Sequence, residues 1–317
     1  MKYWYVGDAA RAWGVSERWV QRLLVAERIP GAVREGRRWL IPQSAPKPVD
    51  GRGFRYQNIR EELRERLLRI DALKAELERR RPFTRSELDR IRREFGVEYT
   101  YDSNAIEGSS LTLRETALVL EGATIGQKAL KEHLEAVGHR DAYDFVETLA
   151  AHIPPEPITS RVIRELHFLV LADQPQARGA FRTIPVRILG TTHRPPEPLL
   201  VPELMEDLVS EVSKDRRHPV VRAARFHLRF ESIHPFIDGN GRTGRLVLNL
   251  MLLQAGYLPV NIKYADRERY YECFEAWDNN QDSLPMTLLV AEYAEGRIRE
   301  WIDILDHSVD VVEKVRV

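Results

Sequence analysis

Two segments that are apolar on nearly every side, Val220 to Ile233 and Leu246 to Leu253, flank a glycine-rich stretch in this 317-residue sequence. A helix with no polar face has to lie inside a core. Two such helices would therefore fix the stretch between them, His234-Pro235-Phe236-Ile237-Asp238-Gly239-Asn240-Gly241-Arg242-Thr243-Gly244-Arg245, at the protein's centre. Gly239, Asn240 and Gly241 tolerate the tight, positive-φ backbone that lets successive N–H groups converge. They stand just ahead of a helix expected over Thr243–Ala255, so their N–H groups and the helix dipole would form an anion site. Arg242 and Arg245 share a face of the first turn and suit phosphate oxygens. Asp238 offers the hard oxygen that Mg²⁺ on a nucleotide requires. His234 is the one group in the stretch that accepts a proton near neutral pH. Base, metal ligand, anion cradle and paired arginines together describe phosphoryl or nucleotidyl transfer.

Other readings of the stretch fail on detail. An EF-hand loop starting at Asp238 would need glycine at Thr243 and glutamate at Asn249. A Walker A loop would end in G-K-[ST], which is missing. No zinc spacing surrounds His234, and His152, His193 and His227 read as core or surface residues.

HPFIDGNGRTGR resembles the Fic family signature, HxFx[DE]GNGRxxR, without departure, and the resemblance extends over roughly Ser86 to Glu295. It implies a mainly α fold: a Fic-type helical bundle with a short β-hairpin flap. The activity it implies is transfer of AMP from ATP to a Ser, Thr or Tyr hydroxyl of a target protein. His234 would deprotonate that hydroxyl and Phe236 would anchor the loop. Asp238 would hold Mg²⁺ on the α- and β-phosphates. Gly239, Asn240, Gly241 and Arg242 would cradle the phosphates, and Arg245 would take the γ-phosphate. Glycine at 241 favours AMP transfer over phosphate transfer. A hairpin around Val186–His193, with Val186, Arg187 and Ile188 at its edge, resembles the flap that holds the target by strand addition. Asp266-Arg267-Glu268-Arg269-Tyr270-Tyr271 resembles the helix bordering the adenine pocket, with Tyr271 the better wall. Asp278 stands where the family often has asparagine.

Upstream, Ser103-Asn104-Ala105-Ile106-Glu107-Gly108 resembles the family's inhibitory motif, [ST]xxxE[GN]. A glutamate delivered by a short helix would occupy Arg245 and misplace the α-phosphate for in-line attack. In some relatives it also positions water for removing AMP. The plainer reading is that Ser103 caps a helix whose Glu107 faces solvent.

The whole chain is electrically balanced, with 48 basic and 48 acidic residues, yet residues 1–52 hold ten Lys/Arg against five Asp/Glu. Within them Asp8 can cap a helix over Ala9–Trp13, Gly14-Val15 can turn, and Ser16 can cap a second helix over Glu17–Ala26. Val33 and Trp39 fall on two strands of a wing. This string resembles excisionase-like, winged relatives of the MerR class. The resemblance places Arg18, Gln21 and Arg22 in a DNA major groove and Arg34, Arg37 and Arg38 near phosphates. A DNA-binding regulator carrying a Fic domain as a sensing appendage is the alternative to the enzyme. The expected domains are 1–48 (winged helix–turn–helix), 49–157 (helical, with an inhibitory helix near 99–110) and 158–317 (catalytic core and C-terminal helices). The stripe Ile59, Leu63, Leu67, Ile70, Leu73 and Leu77 is either one core-facing side of a helix or a homodimer seam. Cys273 is the only cysteine, so an intrachain disulfide is excluded. With no signal-like start and no stretch of ~18 apolar residues, the sequence reads as cytoplasmic, without a membrane partner.

Overall fold

The computed structural model describes residues 3–13, 17, 20–21, 24, 29–36, 38–43, 45, 60–80, 82–153, 155–188, 191 and 193–314. The chain divides into two compact units, Met1–Gln57 and Asn58–Val317.

In the first unit, β1 (Tyr3–Trp4), β2 (Val33–Glu35) and β3 (Arg38–Pro42) form an antiparallel sheet of order β1-β3-β2. Trp4 pairs with Ile41, and Val33 with Leu40. Gly36, at φ +60°, sits in the turn of the β2–β3 hairpin, where a left-handed residue matches the twist of the strands. Two of these strands fall where a two-stranded wing was expected, and β1 is a third that the sequence did not announce. Helix α1 (Val6–Trp13) starts before Asp8, which lies in its first turn and accepts from the Tyr5 N–H at 3.2 Å. The expected cap is thus a first-turn carboxylate reaching back to the chain entering the helix. Ala9, Ala10, Trp13, Val20, Leu24, Ile29 and Ile41 make the core. Helical backbone at Glu17, Val20, Gln21 and Leu24, with Val20 and Leu24 buried and Gln21 exposed, follows the spacing of one helix face. Gly14, Val15, Ser16, Arg18, Arg22 and Arg37 lie outside the described residues.

The second unit is helical: α2 (Glu61–Arg79), α3 (Arg85–Ile106), α4 (Leu113–Leu120), α5 (Leu130–Ala150), α6 (Ser160–Val170), α7 (Val201–Lys214), α8 (Pro219–Ile233), α9 (Asn240–Gln254), α10 (Arg267–Asn280) and α11 (Leu284–Lys314). Thr84 and Glu87 form a capping box that starts α3. Of the leucine stripe, Ile59 lies outside the described residues, Leu63, Leu67 and Ile70 are buried in α2, which packs on α11, and Leu73 and Leu77 are half-buried. Helix α9 is central, with twelve of its fifteen residues buried and contacts to α3, α5, α6 and α8. Gly244 permits its approach to α8, because a Cβ there would lie 2.5 Å from His227 Nδ1.

Two expectations change. Helix α9 begins at Asn240 and not at Thr243, so Asn240 and Gly241 belong to its first turn and only Gly239 is left-handed, at φ +74°. Of the hairpin expected around Val186–His193, residues 189, 190 and 192 lie outside the described residues, and the described residues from 180 to 197 form no strand. Val186 and Ile188 are half-buried and Arg187 exposed, the alternation of an extended chain without a partner strand. A lone two-stranded ribbon is marginal in water, and Pro185, Pro195 and Pro196 remove donors that would pair it.

Candidate active site

Helix α8 ends on His234, whose φ of +48° is left-handed. A non-glycine residue there costs about 1–3 kcal/mol and persists only where its surroundings impose it. The next residues are held firmly. Phe236 is fully buried and stacks on His167 at 3.6 Å between ring centroids. Its N–H donates to Asn240 Oδ1 at 2.9 Å, and Asn240 Nδ2 donates back to its carbonyl at 3.0 Å. The side chain of Asn240 therefore closes the loop, which leaves only its backbone for an anion.

His167 carries the loop from below. Its Nδ1 accepts from the Gly179 N–H at 2.9 Å, so Nε2 bears the proton and donates to Asp238 O at 2.9 Å. Burial pushes its pKa down to about 4, in keeping with this neutral tautomer. Asp238 is partly exposed. Its Oδ1 accepts from the Gly239 N–H at 2.6 Å and its Oδ2 from Gln174 Nε2 at 2.9 Å. Burial opposes its charge, but Arg242, Gly239, Gln174 and Lys131 hold its carboxyl below the ordinary range. An ionised carboxylate with lone pairs left over is a donor of the kind Mg²⁺ takes from a protein while phosphates and water complete its shell.

The first helical bond of α9 runs from the Thr243 N–H to Gly239 O, at 3.0 Å. The N–H groups of Asn240, Gly241 and Arg242 precede it and have no helical acceptor. They form the positive end of the central helix, just after His234 and Asp238 in the chain.

Both arginines are 2% exposed and already engaged. Arg242 Nη1 donates to Glu135 Oε1 of α5 at 2.9 Å, and its Nη2 lies 3.5 Å from Asp238 Oδ1. Burial raises the Glu135 carboxyl above the ordinary range, against the pull of Arg242 and Lys131. Arg245 donates from Nε to Ser103 Oγ at 3.1 Å, from Nη1 to the Tyr270 hydroxyl at 3.1 Å, and from Nη2 to Ser103 O and Glu107 Oε1, both at 2.8 Å. Burial disfavours its charge, yet Tyr270 and Glu107 outweigh this and raise its pKa.

Glu107 is exposed but ion-paired with Arg245, and Ser103 lies within a helix and does not cap one. They stand at the end of a 22-residue helix, α3, and not on a short one. Gly108, at φ +101°, turns the chain away after Glu107. Gly241 makes room for the carboxylate: a Cβ there would lie 2.1 Å from Glu107 Oε1. The end of α3 is anchored by Asp102, 5% exposed, which accepts from Asn261 Nδ2 at 2.7 Å and from the Tyr264 N–H at 3.0 Å. Tyr271, partly exposed, donates its hydroxyl to Ile106 O at 3.2 Å and so touches the same turn.

The sequence reading missed Glu135, Gln174, His167 and Tyr270. Tyr270 was legible: Tyr270, Cys273 and Trp277 recur at three and four and form the buried side of α10. His227 is a buried core histidine, pushed down to about 3 by burial, with Nε2 2.6 Å from the Tyr270 hydroxyl. Asp278 faces His193 Nδ1 at 3.5 Å and accepts from Ser232 Oγ at 3.4 Å. Among the described residues no group of three or more His, Cys, Asp or Glu side chains could hold a metal ion, and no helix is long and apolar enough to cross a membrane.

Known proteins resemble this chain in sequence and fold. A model of the Fic/DOC family matches residues 157–252. The protein adenylyltransferase fic-1 of Caenorhabditis elegans is 34% identical over 228 residues, 70% of this chain and 44% of its own length. The protein adenylyltransferase Fic of Drosophila willistoni is 36% identical over 235 residues, 73% of this chain and 46% of its own. The chain spans less than half the length of these curated relatives. Among solved structures, Fic-1 (residues 134–508) of C. elegans superposes with a TM-score of 0.70 and 30% identity, over 78% of this chain and 74% of that one. A Fic-domain signaling protein of Bacteroides thetaiotaomicron gives a TM-score of 0.70 and 27% identity, over 76% and 97%. With its signature segment folded as one loop and helix end, and with these likenesses across most of its length, the chain belongs to the Fic/DOC family.

Proposed function

We propose that the helical unit is a protein adenylyltransferase that holds itself inactive. The observation that carries this reading is the free N-terminal end of α9, with His234 before it in the chain, Asp238 beside it and Arg245 one turn inside. ATP would lay its phosphates on the Asn240, Gly241 and Arg242 N–H groups. Asp238 would hold Mg²⁺, which when bound neutralises charge on the α- and β-phosphates. The target hydroxyl would attack the α-phosphorus in line. A new oxygen–phosphorus bond forms, the bond to the bridging oxygen breaks, pyrophosphate leaves, and His234 takes the hydroxyl proton. The half-buried, unpaired edge at Val186, Arg187 and Ile188 would receive the target's chain as an added strand. Tyr271 would wall the adenine.

Glu107 would be the restraint. Its contact with Arg245 takes the donor meant for the γ-phosphate, and a hydrogen bond between charged groups is worth about 1.5–3 kcal/mol. The test is mass spectrometry of cell lysate treated with ATP and a Glu107→Gly variant. Proteins gaining the mass of one AMP on a hydroxyl side chain support the reading, and a lysate unchanged beside its His234→Ala control sinks it.

The first unit favours a second role beside this one. Its wing exposes Arg34 and Arg38, each over an aromatic ring, Trp39 at 5.9 Å and Tyr5 at 5.7 Å. Such rigid guanidiniums suit the phosphates of duplex DNA. The full-length protein is expected to shift duplex DNA at low salt, with affinity falling steeply as salt rises. Arg34→Glu with Arg38→Glu should weaken the shift at least tenfold; an unchanged shift would remove these residues from the contact.

A further inference from the structure

We infer that Arg182 is a positioning residue: its one guanidinium fixes the target-binding segment to the end of α8, so that the segment and His234 keep a set distance. This rests on the reading of His234 as the base and of residues 186–188 as the edge that receives the target.

Arg182 is 2% exposed, and among the described residues no carboxylate forms an ion pair with it. Its partners are carbonyls. Nε donates to His234 O at 2.8 Å and Nη2 to Ile233 O at 3.4 Å. Nη2 also donates to Pro196 O at 2.5 Å, and Nη1 to Ile184 O at 3.3 Å. The Arg182 N–H itself donates to Pro235 O at 2.9 Å.

These acceptors fall into two sets. Ile233 and His234 close α8, where the last carbonyls lack helical donors and the dipole favours a cation. That supports a buried guanidinium there without a directly paired carboxylate, with Glu197 adding attraction from further off. Ile184 and Pro196 are the two ends of the irregular segment that contains Val186, Arg187 and Ile188. One planar fork therefore closes the segment into a loop and bolts it to the residue whose left-handed backbone aims the imidazole. A second tie lies further along, where His193 Nε2 donates to Ser232 O at 2.9 Å. The segment is thus referenced at both ends to residues 232–234, and neither tie touches the N-terminal end of α9 where a nucleotide would sit.

The consequence is specific. A change at Arg182 should leave nucleotide binding alone and damage transfer, because a target hydroxyl displaced by about 1 Å can cost on the order of a hundredfold in rate. Lysine keeps the charge but cannot reach four carbonyls in one plane.

The experiment uses the full chain carrying Glu107→Gly, with self-modification by labelled ATP as the rate and anisotropy of a fluorescent ATP analogue as the affinity. Arg182→Lys is expected to bind the analogue within about threefold of its parent while self-modification falls about a hundredfold. Guanidinium chloride at low millimolar concentration is expected to restore Arg182→Gly at least about tenfold, by refilling the same carbonyls. An Arg182→Lys rate within threefold of the parent would overturn the inference. So would affinity lost in step with rate, or rescue absent from a variant that still binds the analogue, since either marks a general support of the fold. A His234→Ala control run alongside separates the two readings: if it keeps its rate, the base assignment fails, whatever Arg182 does.

Discussion

Glu107→Gly is expected to raise self-modification with ATP and Mg²⁺ by about two to three orders of magnitude over a nearly silent wild type. The size follows from what the carboxylate does. It sits 2.8 Å from Arg245 Nη2, while Ser103 and Tyr270 take Nε and Nη1. Removing it leaves Nη2 still bonded to Ser103 O but frees its other N–H for a γ-phosphate, and about 1.5–3 kcal/mol of competing hydrogen bond disappears. Correct seating of the α-phosphate then adds a further gain in rate. Glu107→Asp should fall between wild type and Glu107→Gly, since the shorter chain reaches less far. Joining Glu107→Gly to Arg245→Ala should return activity to a low level. That non-additivity is the diagnostic, because residues in contact do not act independently. An unchanged rate in the single variant would return Glu107 to a merely structural role.

His234→Ala is expected to abolish transfer, a loss of about a hundredfold to ten-thousandfold for a general base, with ATP affinity preserved within about threefold. The imidazole would contribute nothing to the proposed anion cradle. That cradle would be built by backbone after Gly239, where the loop is closed by Asn240 on Phe236. Arg245→Ala should show the opposite pattern, weakening productive ATP binding first. Equal rates in His234→Ala and its parent, measured in the Glu107→Gly background, would leave the target hydroxyl without a base.

The centre of the fold was legible because two runs without a polar face leave only one place to lie. The start of α9 was not, since Asn240 and Gly241 read as turn formers. What moves them into the helix is the Asn240 amide, which closes on Phe236 from four residues away. Local pattern shows a residue's own face but not its distant partner. Glu107 could be matched to Arg245 only through a resemblance, and Glu135, 107 residues from Arg242, carries no local mark of its role. The described residues around Val186 carry no strand for a related reason: alternation at Val186 and Ile188 specifies an extended chain, whereas pairing depends on a second strand. The two-residue strand Tyr3–Trp4 is too short to show any period and exists because β3 offers it an edge.

Which part of ATP reaches the protein is the most direct question. Purified Glu107→Gly protein can be incubated with Mg²⁺ and ATP labelled in either the α- or the γ-phosphate, then denatured and freed of nucleotide. Covalent label from the α-phosphate alone, absent when His234→Ala is added, is the expected result. Label retained from the γ-phosphate, or from neither, would contradict AMP transfer.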